Sequence, residues 1–154
     1  MTPLKRILLV EDSPRDAELI LDALGGHQLA NEVVHVRDGA EALDYLYRRG
    51  EFASRPDGQP ALMLLDLKLP KVDGLEVLRQ IKGDASLRVI PIVMMTSSRE
   101  ERDLLDSYQL GVNAYVVKPM KFQDFVDAVK EVGAFWGVIN EAPPGSLRRS
   151  ASGS

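Results

Sequence analysis

The sequence predicts an α/β fold in which helices cover both faces of a parallel five-stranded sheet. Five short apolar segments alternate along the chain with segments whose apolar residues recur at helical spacing. The segment at residues 62–65 is continuously apolar rather than alternating, as expected of a strand that is buried on both faces. The 154 residues are enough for one domain with a single core.

Each predicted strand is an apolar run that ends at polar or turn-forming residues. The strands are expected at residues 4–10, 32–36, 62–66, 89–95 and 113–117. Pro91 lies near the beginning of the fourth run, where a strand tolerates proline. His35 is interpreted as an ordinary strand histidine. Residues 48–60 contain two glycines and two prolines and form a longer loop than most α/β units need.

Helices are predicted after each strand. Ser13 and Pro14 begin the first helix as N-cap and first helical residue, Gly25 ends it, and Asp38 caps the second. The fourth is expected at residues 100–110 and the last from Phe122 onward. The apolar residues expected to face the core are, helix by helix, Ala17, Ile20, Leu21 and Leu24; Ala42, Leu43 and Leu46; Leu75, Val77, Leu78 and Ile81; Leu104, Leu105 and Tyr108; and Phe125, Val129, Val132 and Trp136.

Composition excludes several classes of function. The net charge of -4 argues against nucleic acid as the main partner, because binding to phosphates needs a basic face. No apolar run approaches the ~18–20 residues that span a bilayer, so no membrane partner is expected. The chain has no cysteine, which excludes disulfides and thiolate metal sites and agrees with a cytoplasmic location.

Polar side chains follow four of the predicted strands. Glu11 and Asp12 follow the first, Asp66 ends the third, Thr96 follows the fourth and Lys118 follows the fifth. The carboxyl ends of parallel strands lie at one edge of a sheet, so these side chains are expected to lie together. Each has a simpler interpretation as a helix cap or an exposed residue, but their occurrence at successive strand ends favours a functional site.

The chemistry of this set is that of phosphoryl transfer. Two like charges ~4 Å apart repel by roughly 4 kcal/mol near a protein surface, so clustered carboxylates need a cation. Mg²⁺, which prefers a few carboxylates and shares its shell with phosphate, is expected here. Asp66 would attack phosphorus as a nucleophile. Lys118 and Mg²⁺ would neutralise the developing charge, and Thr96 would donate a hydrogen bond.

These residues resemble the receiver domain of two-component response regulators. The matching segments are Ile-Leu-Leu-Val-Glu-Asp at 7–12, Leu-Leu-Asp-Leu-Lys-Leu-Pro at 64–70 with Asp73-Gly74, Met-Thr-Ser at 95–97, and Tyr115 with Lys118-Pro119. The resemblance covers residues 4–136 and implies a flavodoxin-like fold with strand order 2-1-3-4-5. Residues 137–154 are expected to form a partly disordered extension, with no output domain.

The resemblance implies a role for each site residue. Asp66 would accept a phosphoryl group from a sensor histidine kinase, and Lys118 would bind that group. Thr96 and Tyr115 would form a switch pair in which the ring follows the hydroxyl inward. The resemblance also implies that the Lys118-Pro119 peptide bond is cis.

The metal ligands implied by the resemblance are Glu11, Asp12, Asp66 and the backbone carbonyl of Lys68. Lys68 departs from the asparagine or the small or acidic residue that many relatives have two residues after the phosphoacceptor. Its carbonyl is still available to a metal, while its long side chain is expected to overhang the site and to alter the lifetime of the phosphoryl group.

A finer resemblance links the chain to stand-alone regulators that are paired with bacterial phytochromes. It rests on the loop at 48–60 and on the ending at 135–144. The apolar residues Trp136, Val138 and Ile139 continue beyond the expected core. We therefore expect a homodimer formed through the last helix, the fifth strand and the C-terminal extension, with a monomer as the alternative.

The resemblance implies a phosphoacceptor that is not an enzyme, and two other functions are the alternatives. A small Mg²⁺-dependent phosphatase with an aspartate nucleophile uses similar residues, but such enzymes usually place an acid where this chain has Lys68. A receiver-like binding module that works without phosphate typically lacks an acid or the lysine, and this chain retains them.

Overall fold

The structure, a computed structural model, describes residues 6–25, 32–56, 58–97, 100–101 and 114–133. The strands are β1 (Ile7–Val10), β2 (Val33–Val36), β3 (Leu62–Asp66), β4 (Ile92–Thr96) and β5 (Tyr115–Val117). They pair in parallel in the order β2-β1-β3-β4-β5. The predicted flavodoxin-like fold and strand order are confirmed.

The described residues also form four α-helices and one short 3-10 helix. They are α1 (Pro14–Gly25), α2 (Gly39–Tyr47), the 3-10 helix Gly50–Phe52, α3 (Gly74–Lys82) and α4 (Phe122–Glu131). Most of the helix predicted at 100–110, Trp136 and the extension at 137–154 lie outside the described residues. Within the described ranges, no helix is both long and apolar enough to cross a membrane.

Three helices begin at a side-chain cap. The amide of Asp16 donates to Ser13 Oγ at 3.2 Å, and Asp38 Oδ1 accepts from the amide of Glu41 at 2.8 Å. Asp73 caps α3 in the same way. Each cap supplies a partner for an amide that the first helical turn leaves unpaired. The sequence predicted the caps at Ser13 and Asp38.

The sheet separates two apolar cores, because successive residues of a strand face opposite sides. Ile7, Leu9, Leu62 and Leu64 pack on the side of α1 and α4, with Phe125. Leu8, Val10, Met63 and Leu65 pack on the side of α2 and α3, with Leu78. Both faces of β1 and β3 are therefore buried, which explains why these strands are continuous apolar runs.

Two details of the predicted core are wrong. Leu21 is 37% exposed, since it lies at the edge of the α1 stripe formed by Ala17, Ile20 and Leu24. β4 begins at Ile92 instead of residue 89, and Val89 is 73% exposed. The preceding residues form turns in which Asp84 Oδ1 accepts from the amides of Ser86 and Leu87, so the chain enters the sheet only after Pro91.

The long loop after α2 is organised by Arg55. Its Nε donates to the Tyr45 carbonyl at 2.7 Å, and its Nη1 donates to the carbonyls of Pro56 and Gly58 at 2.8 Å. The guanidinium also lies 4.2 Å from the centroid of the Tyr45 ring. A cation at the C-terminus of a helix complements the helix dipole. Arg55 thus joins the loop to the end of α2.

Backbone segments approach one another closely at two glycines beside the loop between β3 and α3. A Cβ atom on Gly39 would overlap the Val72 carbonyl oxygen, and a Cβ atom on Gly74 would overlap the carbonyl oxygen of Asp66. The amide of Gly74 donates to the Leu67 carbonyl at 3.0 Å. The start of α3 therefore fixes the backbone that follows Asp66.

We expect Gly74→Ala to lower the free energy of unfolding by about 2 kcal/mol, because the new methyl group meets backbone that cannot move aside cheaply. Urea denaturation followed by circular dichroism measures the change. Gly25→Ala is the matched control, since a Cβ atom there has nothing within 4 Å and alanine favours a helix. Equal midpoints for the two variants would contradict this account of the loop.

Candidate functional site

The predicted site residues lie together at the carboxyl edge of the sheet. The hydrogen bonding of the sheet continues past the strand ends: the amide of Glu11 donates to the Val36 carbonyl at 3.1 Å, and that of Lys118 to the Thr96 carbonyl at 2.9 Å. These bonds fix the backbone of the residues just beyond β1 and β5. The expected convergence of Glu11, Asp12, Asp66, Thr96 and Lys118 on this edge is therefore observed.

The Lys118 ammonium contacts three carboxylates. Its Nζ lies 3.0 Å from Asp66 Oδ2, 3.0 Å from Glu11 Oε1 and 3.1 Å from Asp16 Oδ2. The Glu11 side chain is fully buried, and those of Asp66 and Lys118 are 6% and 15% exposed. Lys118 is thus a half-buried member of the site, and its interpretation as a surface lysine is wrong.

Asp16 is a site residue that the sequence analysis missed. It lies in the first turn of α1, three residues after the N-cap Ser13, where an acid is ordinarily explained by the helix dipole. The signal that could have revealed it is position, because side chains of a helix tilt toward its N-terminus. The N-terminus of α1 lies beside the carboxyl end of β1, and hence beside the site.

Hydrogen bonds fix both the side chain and the backbone of Glu11. Its Oε2 accepts from the amide of Ser13 at 3.2 Å. Its backbone carbonyl accepts from His35 Nε2 at 2.8 Å, and since a carbonyl can only accept, His35 Nε2 carries a proton. The strand histidine therefore also supports the backbone of a site residue.

The electrostatics show an excess of negative charge. Burial, aided by Asp66, raises the pKa of Glu11 to about 7 even though Lys118 and the Ser13 amide lower it. Burial acts to lower the pKa of Lys118, but its hydrogen bonds to Glu11, Asp66 and Asp16 raise that pKa above its ordinary value. The site thus brings three carboxyl groups to one ammonium.

The donor set fits a hard divalent cation. Glu11, Asp12 and Asp66 each offer a carboxylate oxygen, and these three oxygens lie within 4.8 Å of one another. All are hard oxygen ligands, as Mg²⁺ and similar ions require. The amide of Lys68 donates to Asp66 Oδ1 at 3.3 Å, so the backbone of Lys68 lies beside the cluster.

Thr96 brings a fully buried hydroxyl to this edge of the sheet. Its side chain is fully buried, and within the part of the chain that the structure describes no group hydrogen-bonds to its Oγ1. A buried polar atom without a partner costs about 1–3 kcal/mol. Such a hydroxyl fits a site whose ligand supplies the missing acceptor.

Tyr115 and Thr96 lie on one face of neighbouring strands. Tyr115 is opposite Met94, two residues before Thr96, in the register of β4 and β5. Its half-buried side chain packs against the apolar core on the side of α2 and α3. The two residues are therefore diagonal neighbours on one face of the sheet.

The Lys68 side chain forms an ion pair with a residue that follows β4. Its Nζ lies 2.9 Å from Glu101 Oε2, and the side chain is 77% exposed. Glu101 Oε1 in turn accepts from the amide of Ser97 at 2.8 Å. The side chain that was expected to overhang the site is therefore paired with Glu101. The Lys118-Pro119 peptide bond is cis, as the resemblance implies.

This fold and site are those of a phosphoryl-accepting signalling domain, and comparison with known proteins agrees. Residues 7–130 match the model of the response regulator receiver domain. The chain therefore belongs to the receiver domain family of two-component signalling proteins, and phosphorylation on an aspartate is implied by the family.

Two relatives match most of the chain in sequence. Response regulator Rcp1 of Synechocystis sp. is 42% identical over 134 residues, which are 87% of this chain and 90% of Rcp1. The probable methanogenesis regulatory protein FilR2 of Methanothrix harundinacea is 44% identical over 137 residues, 89% of this chain and 86% of FilR2.

Solved structures include regulators from light signalling. The bacteriophytochrome response regulator AtBRR is 62% identical with a TM-score of 0.86, covering 91% of this chain and 100% of AtBRR. The Mn²⁺-bound form of Rcp1 is 39% identical with a TM-score of 0.69, covering 92% and 99%. This chain is similar to a protein that binds a divalent metal.

Proposed function

We propose that this chain is a response regulator that accepts a phosphoryl group from a sensor histidine kinase on Asp66. The observation that carries the proposal is the Asp66 carboxylate, which is almost buried at a strand end and lies 3.0 Å from Lys118 Nζ. A buried acid with no role in packing the core is costly unless it is paired. Its place beside other acids and a lysine supports a role in phosphoryl transfer.

In the proposed reaction an oxygen of Asp66 forms a bond to phosphorus, while the bond from phosphorus to the histidine nitrogen of the kinase breaks. The nitrogen leaves with the electron pair of that bond. Asp66 Oδ1 accepts from the Lys68 amide and Oδ2 from Lys118 Nζ, so the carboxylate is oriented before the donor arrives. Lys118 and the Thr96 hydroxyl would donate to oxygens of the transferred group.

Glu11, Asp12, Asp66 and the backbone carbonyl of Lys68 would hold Mg²⁺. When bound, the ion supplies positive charge against the charge that develops on the phosphoryl oxygens. The chain's own contribution is the clustered carboxylates described above. Thr96 and Tyr115 would carry the signal. The Thr96 hydroxyl, which has no hydrogen-bond partner among the described residues, would gain an acceptor, and its movement would make room for the Tyr115 ring.

We propose a bacterial phytochrome as the kinase partner and the cytoplasm as the location. Support for the partner comes from two solved bacteriophytochrome response regulators, AtBRR and RtBRR, each 62% identical to this chain. We also propose that the chain acts as a phosphoacceptor and not as a phosphatase. The position two residues after Asp66 is a lysine paired with Glu101, so it offers no general acid.

Asp66→Asn is expected to abolish phosphorylation, because the amide cannot attack phosphorus. Intact-mass spectrometry after incubation with Mg²⁺ and either acetyl phosphate or an ATP-loaded bacterial phytochrome measures the gain of one phosphoryl group. Asp73→Asn is the matched control, since it makes the same change at an exposed acid and asparagine still caps α3. A phosphorylated Asp66→Asn variant would contradict the assignment, and repeated turnover of p-nitrophenyl phosphate would favour the phosphatase.

Asp12→Asn is expected to weaken Mg²⁺ binding by at least about tenfold, because a carboxylate ligand carries the charge that attracts the ion. Isothermal titration calorimetry of the metal-free chain with Mg²⁺, and with Mn²⁺ as a second probe, measures the affinity. Asp22→Asn, at an exposed position on α1, controls for the loss of one charge. Equal affinities for the two variants would remove Asp12 from the metal site.

We propose a homodimer formed through α4, β5 and residues 137–154, the last of which lie outside the described residues. β5 is an edge strand of the sheet, and its Val117 is 49% exposed. Val117→Lys is expected to shift the full-length chain from dimer to monomer in light scattering. Val89→Lys, at a valine that is 73% exposed, should leave the dimer intact. A wild-type monomer at every concentration tested would exclude the dimer.

A further inference from the structure

Asp16 reaches the site from a helix rather than from a strand end. Its Oδ2 lies 3.1 Å from Lys118 Nζ, and its amide donates to Ser13 Oγ at 3.2 Å. The cap at Ser13 thus fixes the backbone from which the Asp16 side chain extends. The Asp16 side chain is 36% exposed and that of Lys118 is 15% exposed, so the contact lies at the outer boundary of the site.

The ammonium of Lys118 has one carboxylate for each of its three N–H groups. The partners are Glu11, Asp66 and Asp16, at 3.0, 3.0 and 3.1 Å. Two of these partners are engaged by the chemistry proposed above, Asp66 as phosphoacceptor and Glu11 as metal ligand. Asp16 is the one of the three that has neither role, and it stays a carboxylate throughout.

The difference between Asp16 and the other two carboxylates matters during phosphoryl transfer. When an Asp66 oxygen bonds to phosphorus, that carboxylate loses its charge, and a bound metal would compete for Glu11. A lysine side chain that is released from both partners regains rotamer freedom, which must be lost again for the ammonium to meet the phosphoryl oxygens. A third carboxylate outside the reaction keeps the ammonium in place.

We propose that Asp16 is a positioning residue that holds the Lys118 ammonium beside Asp66, so that phosphoryl transfer depends on the first turn of α1. The inference rests on the proposed phosphorylation of Asp66. Asp16 does not touch the reacting atoms and acts through Lys118. Its contact makes α1 a part of the reaction site as well as of the core.

Asp16→Asn tests this role, because it keeps the size of the side chain and removes its charge. The rate of phosphorylation by acetyl phosphate at saturating Mg²⁺ is followed by intact mass at several donor concentrations. We expect Asp16→Asn to be slower by about fivefold, the size expected when one partly exposed ion pair is lost. Asp16→Glu, which restores the carboxylate, should come back to within about twofold of wild type.

Glu18→Gln is the matched control, since it removes one negative charge from an exposed position on the same helix and should leave the rate unchanged. A second measurement does not depend on the reaction. The NMR signal of the Lys118 ammonium, which has three carboxylate partners in the wild type, should weaken in Asp16→Asn and be unchanged in Glu18→Gln, because each partner slows exchange with water.

A wild-type rate together with an unchanged ammonium signal in Asp16→Asn would overturn the proposal. So would an equal slowing in Glu18→Gln, which would assign the effect to the charge of the helix, or a rate that rises in Asp16→Asn alone. A wild-type chain that gains no phosphoryl group is a different result: it would overturn the phosphorylation of Asp66, and this inference with it.

Discussion

One ammonium in contact with three carboxylates is the interaction that the fold has to hold in place. Lys118, Glu11, Asp66 and Asp16 come from three separate parts of the chain. Their charges, buried or partly buried, are tolerable only because they are paired with one another. Glu11 shows the cost most directly, since its burial raises its pKa to about 7 despite a lysine at 3.0 Å. The fold must hold these groups together against that cost.

The parallel sheet does so by fixing backbone rather than side chains. Its hydrogen bonds continue one residue beyond β1, β3 and β5, to Glu11, Leu67 and Lys118, and the two apolar cores hold the strands from both faces. The loop after Asp66 is then confined by Gly74, where even a methyl group would meet the Asp66 carbonyl. Stability and the geometry of the site are therefore coupled at this loop.

The sequence was sufficient to predict the features that follow from regular patterns of apolar and polar residues. Continuous apolar runs predicted the strands, and the polar residues after them predicted which side chains meet at one edge. It failed where a particular contact overrides the pattern: local turns around Asp84 keep Val89 out of β4, and Arg55 organises its loop through carbonyls of α2. Asp16 was missed because its contact with Lys118 joins residues far apart in the chain, while an acid in a first helical turn already has a local explanation.

The site also constrains how phosphorylation could act as a signal. A carboxylate carries one negative charge and an aspartyl phosphate carries about two, so the local charge changes by roughly one unit in a region already rich in acids. A larger change would be the arrival of acceptor oxygens beside Thr96, whose fully buried hydroxyl has no partner among the described residues. A hydrogen bond from that hydroxyl would recover the free energy that its isolation costs, about 1–3 kcal/mol. That gain is available only in the phosphorylated state, which is what a shift between two conformations of β4 and β5 requires.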